Sequence, residues 1–268
     1  MDRYAVIGNP VAHSRSPEIH AMFAAQTGEL LRYDRIEARA ENFETRVSDF
    51  FAGGGKGLNV TLPFKQRAHD LAIVLDDAAR EAGAVNILMP RDHELWGGNT
   101  DGIGLVRDLT VNHGIVLQGA RILMLGAGGA VRGVLGALLA SGAQEIVIVN
   151  RTHDRGEALA AHWSDPRVRA ERAEDCRESF PLVINGTAAS LRGQVPAIGA
   201  QVLDAECFCY DMVYANEDTA FVAWAKSRGA RAADGLGMLV EQAAESFFIW
   251  RGVRPLTTPV MDALRASS

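Results

Sequence analysis

Along this chain, apolar runs short enough to be strands alternate with longer stretches whose apolar positions recur every three or four residues. "YAVIG" opens the series as a strand. A helical pattern follows through about Gln26, with Ser16 suited to the N-cap and Pro17 to the first helical position. "YDRIEA" reads as a second strand, and Asn42 opens a helix that runs to the glycines at Gly53 to Gly55. "KGLNV" and "AVNILM" supply two more strands, the latter paired with "ELWGGN" as a hairpin. Past Asp101, "DGIGLVRDLTVNHG" reads as a connecting helix. A strand–helix–strand unit follows over "RILMLGAGGAVRGVLGALLASGAQEIVIVNRT". Further strands fall at "LVIN" and "CFCYDM", and the tail is helical from Leu236 to Trp250 and again from Pro259. The alternation predicts an α/β protein with mostly parallel sheets. Residues 1–101 and 237–268 are expected to form one domain, with the C-terminal helices packing back on it. Residues 102–236 are expected to form a second, Rossmann-like domain.

Composition narrows the partners. The formal charge of −6 gives no bulk attraction to nucleic acid or to an anionic membrane. No apolar stretch approaches the roughly 18 residues of a membrane-spanning helix, and the start "MDRYAVIGNP" lacks the basic segment and long apolar run of a secretory signal. Three cysteines cannot make a disulfide framework, and Cys207 and Cys209 sit in an apolar run that reads as strand packing. Seven histidines without an H-E-x-x-H spacing give no zinc site, so no metal is expected. A reducing, cytoplasmic setting fits this usage.

The second domain carries a nucleotide signature. Strand "ILML" leads into Gly126, Gly128 and Gly129, then a small-residue helix and the strand "EIVIVN". Glycines at such a turn let backbone N–H groups approach a pyrophosphate at the positive end of a helix. A tight turn that merely packs helix on strand would look similar, although the flanking elements favour a dinucleotide. Roughly 20 residues beyond the glycines an NAD site supplies a carboxylate to the ribose. Here stands "NRTHDR", with Asn150, Arg151, Thr152 and Arg155 and no acid at the strand end. Two guanidiniums suit a 2′-phosphate, which points to NADP(H), while Asp154 and Glu157 blunt the positive field.

The first domain carries the chemistry. Of 27 basic residues only Lys56, Lys65 and Lys226 are lysine, and Lys65 ends "GLNVTLPFK". Leu62 precedes a proline and is expected to be extended. Pro63 suits a first helical position, which puts Lys65 in the first turn as a candidate acid–base group. A solvated helix-end lysine is the plain alternative. Asn59 and Thr61 add hydrogen-bonding groups at a strand end, where open α/β sheets bind ligands. Asp101 in "GGNTDG" sits at a second strand-to-helix junction, as a partner for Lys65 or simply as a cap. Ser14 and Ser16 offer two hydroxyls at a helix start, suited to a carboxylate, although Ser16 also serves as an ordinary cap.

These residues lie in "GNPVAHSRSP", "GGKGLNVTLPFK", "GAVNIL", "GNTDGIG", "GAGGAVRG", "NRTHDR", "YDMVY" and "DGLGMLVEQA". In that order and spacing the chain resembles shikimate dehydrogenases along nearly its whole length. The resemblance implies reversible, NADPH-dependent reduction of 3-dehydroshikimate to shikimate, a step toward chorismate and the aromatic amino acids. It implies Lys65 as the acid–base residue, Asp101 as its partner, and Ser14 and Ser16 on the substrate carboxylate. Thr61, Asn86, Tyr214 and Gln242 complete the implied pocket with Asn59. Gly126, Ala127, Gly128, Gly129 and Ala130 would cradle the pyrophosphate, and Asn150 to Arg155 the adenosine phosphate. Thr187, Met212 and Gly235 are implied near the cofactor, and so is Asp77. On pattern alone Gln242 is a solvent-facing helix residue and Met238 core filler.

Two departures stand out: Ile87 where the family commonly has threonine, and the loop "NGTAASL" from Asn185 to Leu191. Rival readings are a quinate/shikimate dehydrogenase using NAD, a non-catalytic NADP-binding paralogue, and a one-carbon-folate dehydrogenase. The expected partner is a small-molecule substrate, and the expected state is a monomer or homodimer.

Overall fold

A strand that is apolar on both faces belongs inside a sheet covered on both sides, and β1 (Asp2–Gly8) is such a strand. The computed structural model describes residues 1–267 and divides into two units, Met1–Gly104 with Leu239–Ser267, and Leu105–Met238. Ser268, the last residue of the expected first domain, lies outside the described residues.

In the first unit, β1 is followed by α1 (Ser16–Thr27), β2 (Leu31–Glu37), α2 (Phe43–Ala52) and β3 (Gly55–Val60). Then come α3 (Lys65–Leu71), β4 (Val74–Leu75), α4 (Asp77–Ala82), β5 (Ile87–Arg91), β6 (Glu94–Gly98) and α5 (Asp101–Arg107). The six strands order as β2-β1-β3-β5-β6-β4. Only β5 runs against its neighbours; the pairs β1–β2, β1–β3 and β4–β6 are parallel. The strand order changes direction between β1 and β3, so the loops that leave their carboxyl ends face a natural ligand crevice. Those loops carry Ser14 and Thr61 and lead into Ser16 and Lys65 at the helix starts. β6 ends at the same edge and delivers Asp101. Because β5 is reversed, it begins at that edge, and Asn86 immediately precedes it. A two-residue turn joins β5 to β6, with Asp92 and His93 both at positive φ (49° and 70°), the geometry that matches the twist of a hairpin.

α2 buries Phe43, Val47 and Phe50, spaced as one helical face, against Leu58 and Phe64. On the opposite face of the sheet Tyr4, Val6, Val11 and Tyr33 pack together with Trp250. Trp250 lies so close to Gly57 that a Cβ there would stand 2.3 Å from its Nε1. The indole also packs on Tyr4, with ring centroids 4.7 Å apart, and is not free to retreat. Gly57→Ala is therefore expected to destabilise the protein by about 1–3 kcal/mol through overpacking, read as a lower urea midpoint followed by tryptophan fluorescence.

The second unit contains β7 (Arg121–Leu125), α6 (Gly129–Ala140), β8 (Glu145–Val149), α7 (His153–Trp163) and β9 (Val168–Glu171). It continues with β10 (Phe180–Asn185), β11 (Leu203–Asp211), α8 (Ala220–Lys226) and β12 (Arg231–Ala233). All six strands are parallel in the order β9-β8-β7-β10-β11-β12. That is the doubly wound dinucleotide-binding order, with its switch point between β7 and β10. Apolar layers cover both faces, Val131, Leu135 and Leu138 of α6 on one side and Phe180, Val202 and Phe221 on the other. The chain returns through α9 (Leu236–Arg251) and ends with α10 (Thr258–Ala266). No helix among the described residues is long and apolar enough to cross a membrane.

Three local expectations change. Ser16 is the first residue of α1 and Arg15 holds the N-cap position, because the Ser14 hydroxyl takes the Ser16 N–H at 3.3 Å. Pro63 lies before the helix, in a turn closed by the Phe64 N–H on the Thr61 carbonyl (3.0 Å), with Leu62–Pro63 cis. The helix then starts at Lys65 itself. In "AVNILM" only the part from Ile87 is strand; Ala84 to Asn86 form the approach to it.

Candidate active site

Lys65 and Asp101 each stand at the first residue of a helix. The Lys65 carbonyl accepts the Val85 N–H at 2.8 Å, which ties the start of α3 to the segment carrying Asn86. The Asp101 N–H donates to Asn99 Oδ1 at 3.0 Å, and Asn99 in turn donates to the Ala84 carbonyl at 2.9 Å. So held, Lys65 Nζ meets Asp101 Oδ2 at 2.5 Å, with side chains only 19% and 8% exposed. A pair this short and this shielded is far from a floppy surface ion pair. Asp101 Oδ1 accepts from Asn86 Nδ2 at 2.9 Å, so both carboxylate oxygens are engaged. The carboxylate also sits at a helix start, where the macrodipole favours negative charge.

The network extends from Asn86. Its Nδ2 also donates to Thr100 Oγ1 (2.9 Å) and, more weakly, to Gln242 Oε1 (3.4 Å), while its Oδ1 accepts the Thr100 N–H at 2.8 Å. Thr100 Oγ1 is 3.3 Å from Ser246 Oγ, which accepts from Asn59 Nδ2 at 3.0 Å. Ser14 and Ser16 hydroxyls lie 3.1 Å apart at the start of α1. Gly8 sits against Thr61, whose Cγ2 would be 2.3 Å from a Cβ at that position, so the loops after β1 and β3 run side by side. Asp77 does not join this cluster: its side chain is 91% exposed and pairs with Arg80 at 2.5 Å. The half-buried carboxylate next to it, Asp76, caps α4 by accepting the Ala79 N–H at 2.7 Å.

In the second unit, Gly126 closes β7 with φ +109°, a conformation open to glycine, and Thr187 crowds its Cβ position. A Cβ on Gly128 or Gly129 would meet nothing within 4 Å. That open space lies at the N-terminus of α6, whose N-cap Gly128 has no side-chain cap. The turn thus fits a pyrophosphate. Thr187 is held by its own hydrogen bonds to Asn185 Oδ1 (N–H at 3.0 Å, Oγ1 at 2.7 Å). Asn185 donates to the buried Asp211 at 3.0 Å, which also accepts from Ser190 (2.5 Å) and Thr219 (2.6 Å). Burial pushes the Asp211 carboxyl above its usual range, and these donors offset only part of that rise. The loop "NGTAASL" is therefore anchored through Asp211. Met212 packs beside Gly186, and a Cβ on Gly235 would be 2.4 Å from the Met212 carbonyl oxygen. Arg151, Thr152 and Arg155 are exposed beyond β8, while Asn150 donates to the Thr152 carbonyl at 2.7 Å. Glu157, one of the acids near the arginines, sits 3.3 Å from His153. Tyr214 is half-buried in this unit, and Ala127 and Ala130 flank the glycines. No group of residues that could hold a metal ion occurs among the described residues.

A family model described as the shikimate dehydrogenase substrate binding domain matches residues 6–88. A second, described as shikimate / quinate 5-dehydrogenase, matches 110–192, and a third, the shikimate 5'-dehydrogenase C-terminal domain, matches 235–265. The NADP(+) shikimate dehydrogenase of Alkalilimnicola ehrlichii is 56% identical over 98% of both chains. The chain belongs to the shikimate dehydrogenase family. A second relative, the NADP(+) shikimate dehydrogenase of Hahella chejuensis, is 54% identical over 99% of both chains. Among solved structures, the shikimate 5-dehydrogenase of Thermus thermophilus in complex with NADP(H) and shikimate is 34% identical over the full length of both chains, with a TM-score of 0.90. As a shikimate dehydrogenase family member the chain shows the α/β fold expected of it.

The first unit of this shikimate dehydrogenase relative thus brings together Lys65, Asp101, Asn86, Asn59 and Gln242. Thr100 and Ser246, neither of them singled out by the sequence pattern, join them. Thr100 stands within "GNTDG" and carried a signal that could have been used. Ser246 looks like any small residue on an apolar helix face.

Proposed function

We propose that the protein catalyses the reversible, NADPH-dependent reduction of 3-dehydroshikimate to shikimate. The observation that carries this reading is the shielded Lys65–Asp101 pair at 2.5 Å on the carboxyl edge of the first sheet. When bound, the cofactor supplies or takes the hydride at the ring carbon. Lys65 Nζ gives its proton to the oxygen that gains charge as the ketone is reduced, and takes it back in the reverse direction. Asp101 holds the ammonium in place, and Asn86 fixes the carboxylate through Oδ1. Ser14 and Ser16 take the substrate carboxylate, with Asn59, Thr61 and Gln242 on its hydroxyls and ring.

For the cofactor, the open glycine turn and the uncapped start of α6 would receive the pyrophosphate. Exposed Arg151 and Arg155, with no carboxylate at the end of β8, would take the 2′-phosphate and set the preference for NADP over NAD. The proposed setting is cytoplasmic, supported by three buried free cysteines, with the chain acting on a small molecule as a monomer or homodimer.

Turnover with shikimate and with quinate, each with NADP and with NAD, tests the whole reading. Shikimate with NADP is expected to give the highest kcat/KM. An equal rate with quinate and NAD would replace it with the rival dehydrogenase, and binding without turnover would leave a non-catalytic relative.

A further inference from the structure

Tyr33 and Arg35 stand two residues apart on β2, so their side chains leave the same face of the sheet. Arg35 reaches the short segment that carries the two serines, and Tyr33 reaches Asn59. The Arg35 guanidinium donates twice to the Ser14 carbonyl, from Nε at 3.0 Å and from Nη2 at 2.6 Å. Its neighbour Asp34 is engaged by Arg32 at 2.9 Å. The buried Tyr33 phenol donates to Asn59 Oδ1 at 2.7 Å. Burial holds the phenol proton well above its ordinary pKa. Asn59 thereby has a fixed orientation, with Oδ1 on Tyr33 and Nδ2 on Ser246 Oγ (3.0 Å) and the Asn86 carbonyl (3.3 Å).

His20 lies one turn beyond Ser16 on α1. Its ring lies flat on Tyr33, with centroids 4.2 Å apart and planes 7° apart. Burial pushes the His20 pKa down to about 3, so the ring is neutral, and its nitrogens meet no partner at hydrogen-bonding geometry among the described residues. It restrains the phenol ring by stacking. Tyr33 thus anchors Asn59 in the polar network that ends at Lys65 and Asp101, and Arg35 is a double clamp on the backbone of Ser14.

We propose that Arg35 is a positioning residue for recognition of the substrate carboxylate, acting through Ser14 without touching substrate itself. This rests on the reading that the two serines hold that carboxylate. With Arg35 clamping the Ser14 backbone and the Ser14 and Ser16 hydroxyls 3.1 Å apart, the pair is set before substrate arrives, and affinity for the anion depends on that setting.

The test compares Arg35→Met, Arg35→Lys and Ser16→Ala on two substrates, shikimate and its carboxamide, which lacks the anion. Arg35→Lys keeps the charge with a single point of donation. Arg35→Met is expected to raise KM for shikimate about tenfold while kcat and the KM for NADP stay within about twofold. Arg35→Lys should fall between Arg35→Met and the parent. On the carboxamide, whose carbonyl accepts hydroxyl protons but carries no charge, the Arg35 variants should raise KM by less than about threefold. A thermal unfolding scan checks that each variant folds, and if Arg35→Met does not, Arg35→Lys carries the test. Equal losses on both substrates, or no loss on shikimate, would overturn the proposal. If Ser16→Ala alone shows the carboxylate-dependent loss, the positioning role fails while the serine reading stands. If Ser16→Ala also shows none, the serine reading itself fails.

Discussion

Lys65→Met should lower kcat for shikimate oxidation on the order of 10²–10⁴-fold, the usual loss when a positioned acid–base group is removed. The methionine keeps most of the stem volume but leaves Asp101 with Asn86 as its one side-chain partner and no cation. Part of any loss could therefore come from a displaced carboxylate. Lys65→Arg separates the two causes: a guanidinium restores a positive partner for Asp101 yet holds its proton too tightly to exchange it. Both variants should be slow, with shikimate still bound, and near-normal turnover in either would remove Lys65 from the chemistry. Single-turnover hydride transfer, followed by NADPH absorbance, is the measurement, because it isolates the chemical step from product release.

The second large effect is expected at the cofactor. Replacing Arg151 and Arg155 together by alanine should weaken NADP binding about 100-fold, since two charge-assisted contacts to a phosphate are lost. The KM for NAD should change little, because NAD has no 2′-phosphate for them to grip. Both residues are exposed beyond β8, so the double variant should fold normally. A titration of NADP and NAD by cofactor fluorescence decides it, and parallel losses for the two cofactors would refute the phosphate-gripping role. The nearby Glu157, within 3.3 Å of His153, competes less for the arginines than its position in the sequence suggests.

How much of this was legible in the sequence follows from chemistry and period. Lys65, Asp101 and the glycines are residue types whose place at a strand-to-helix junction is itself a signal, and the alternation of apolar runs gave the α/β class. β4, β9 and β12 were missed because "VL", "VRAE" and "RAA" are too short or too polar to show a strand period. They are edge or outer strands that need burial on few positions. The order of the strands was not legible, since sheet neighbours are set by long-range packing. Thr100 and Ser246 were missed for a different reason: their hydroxyls matter only once β6 and α9 are side by side at Asn86. Tyr33 looked like an ordinary strand aromatic, and only the tertiary fold reveals that its oxygen, more than its ring, distinguishes it. The expected helix start at Pro63 lies two residues early, because the Thr61–Phe64 hydrogen bond takes up the residues before Lys65.

The reversed strand β5 has a consequence for how this protein can change over evolutionary time. It places Asn86 among the reacting groups while sending its other end, the tight bend at Asp92 and His93, to the far side of the sheet. Selection on the chemistry and drift in chain length are thereby assigned to opposite tips of one hairpin. Descendants of this sequence can lengthen, shorten or recharge that bend, acquiring new surface properties there, without renegotiating a single atom of the Lys65–Asp101–Asn86 cluster.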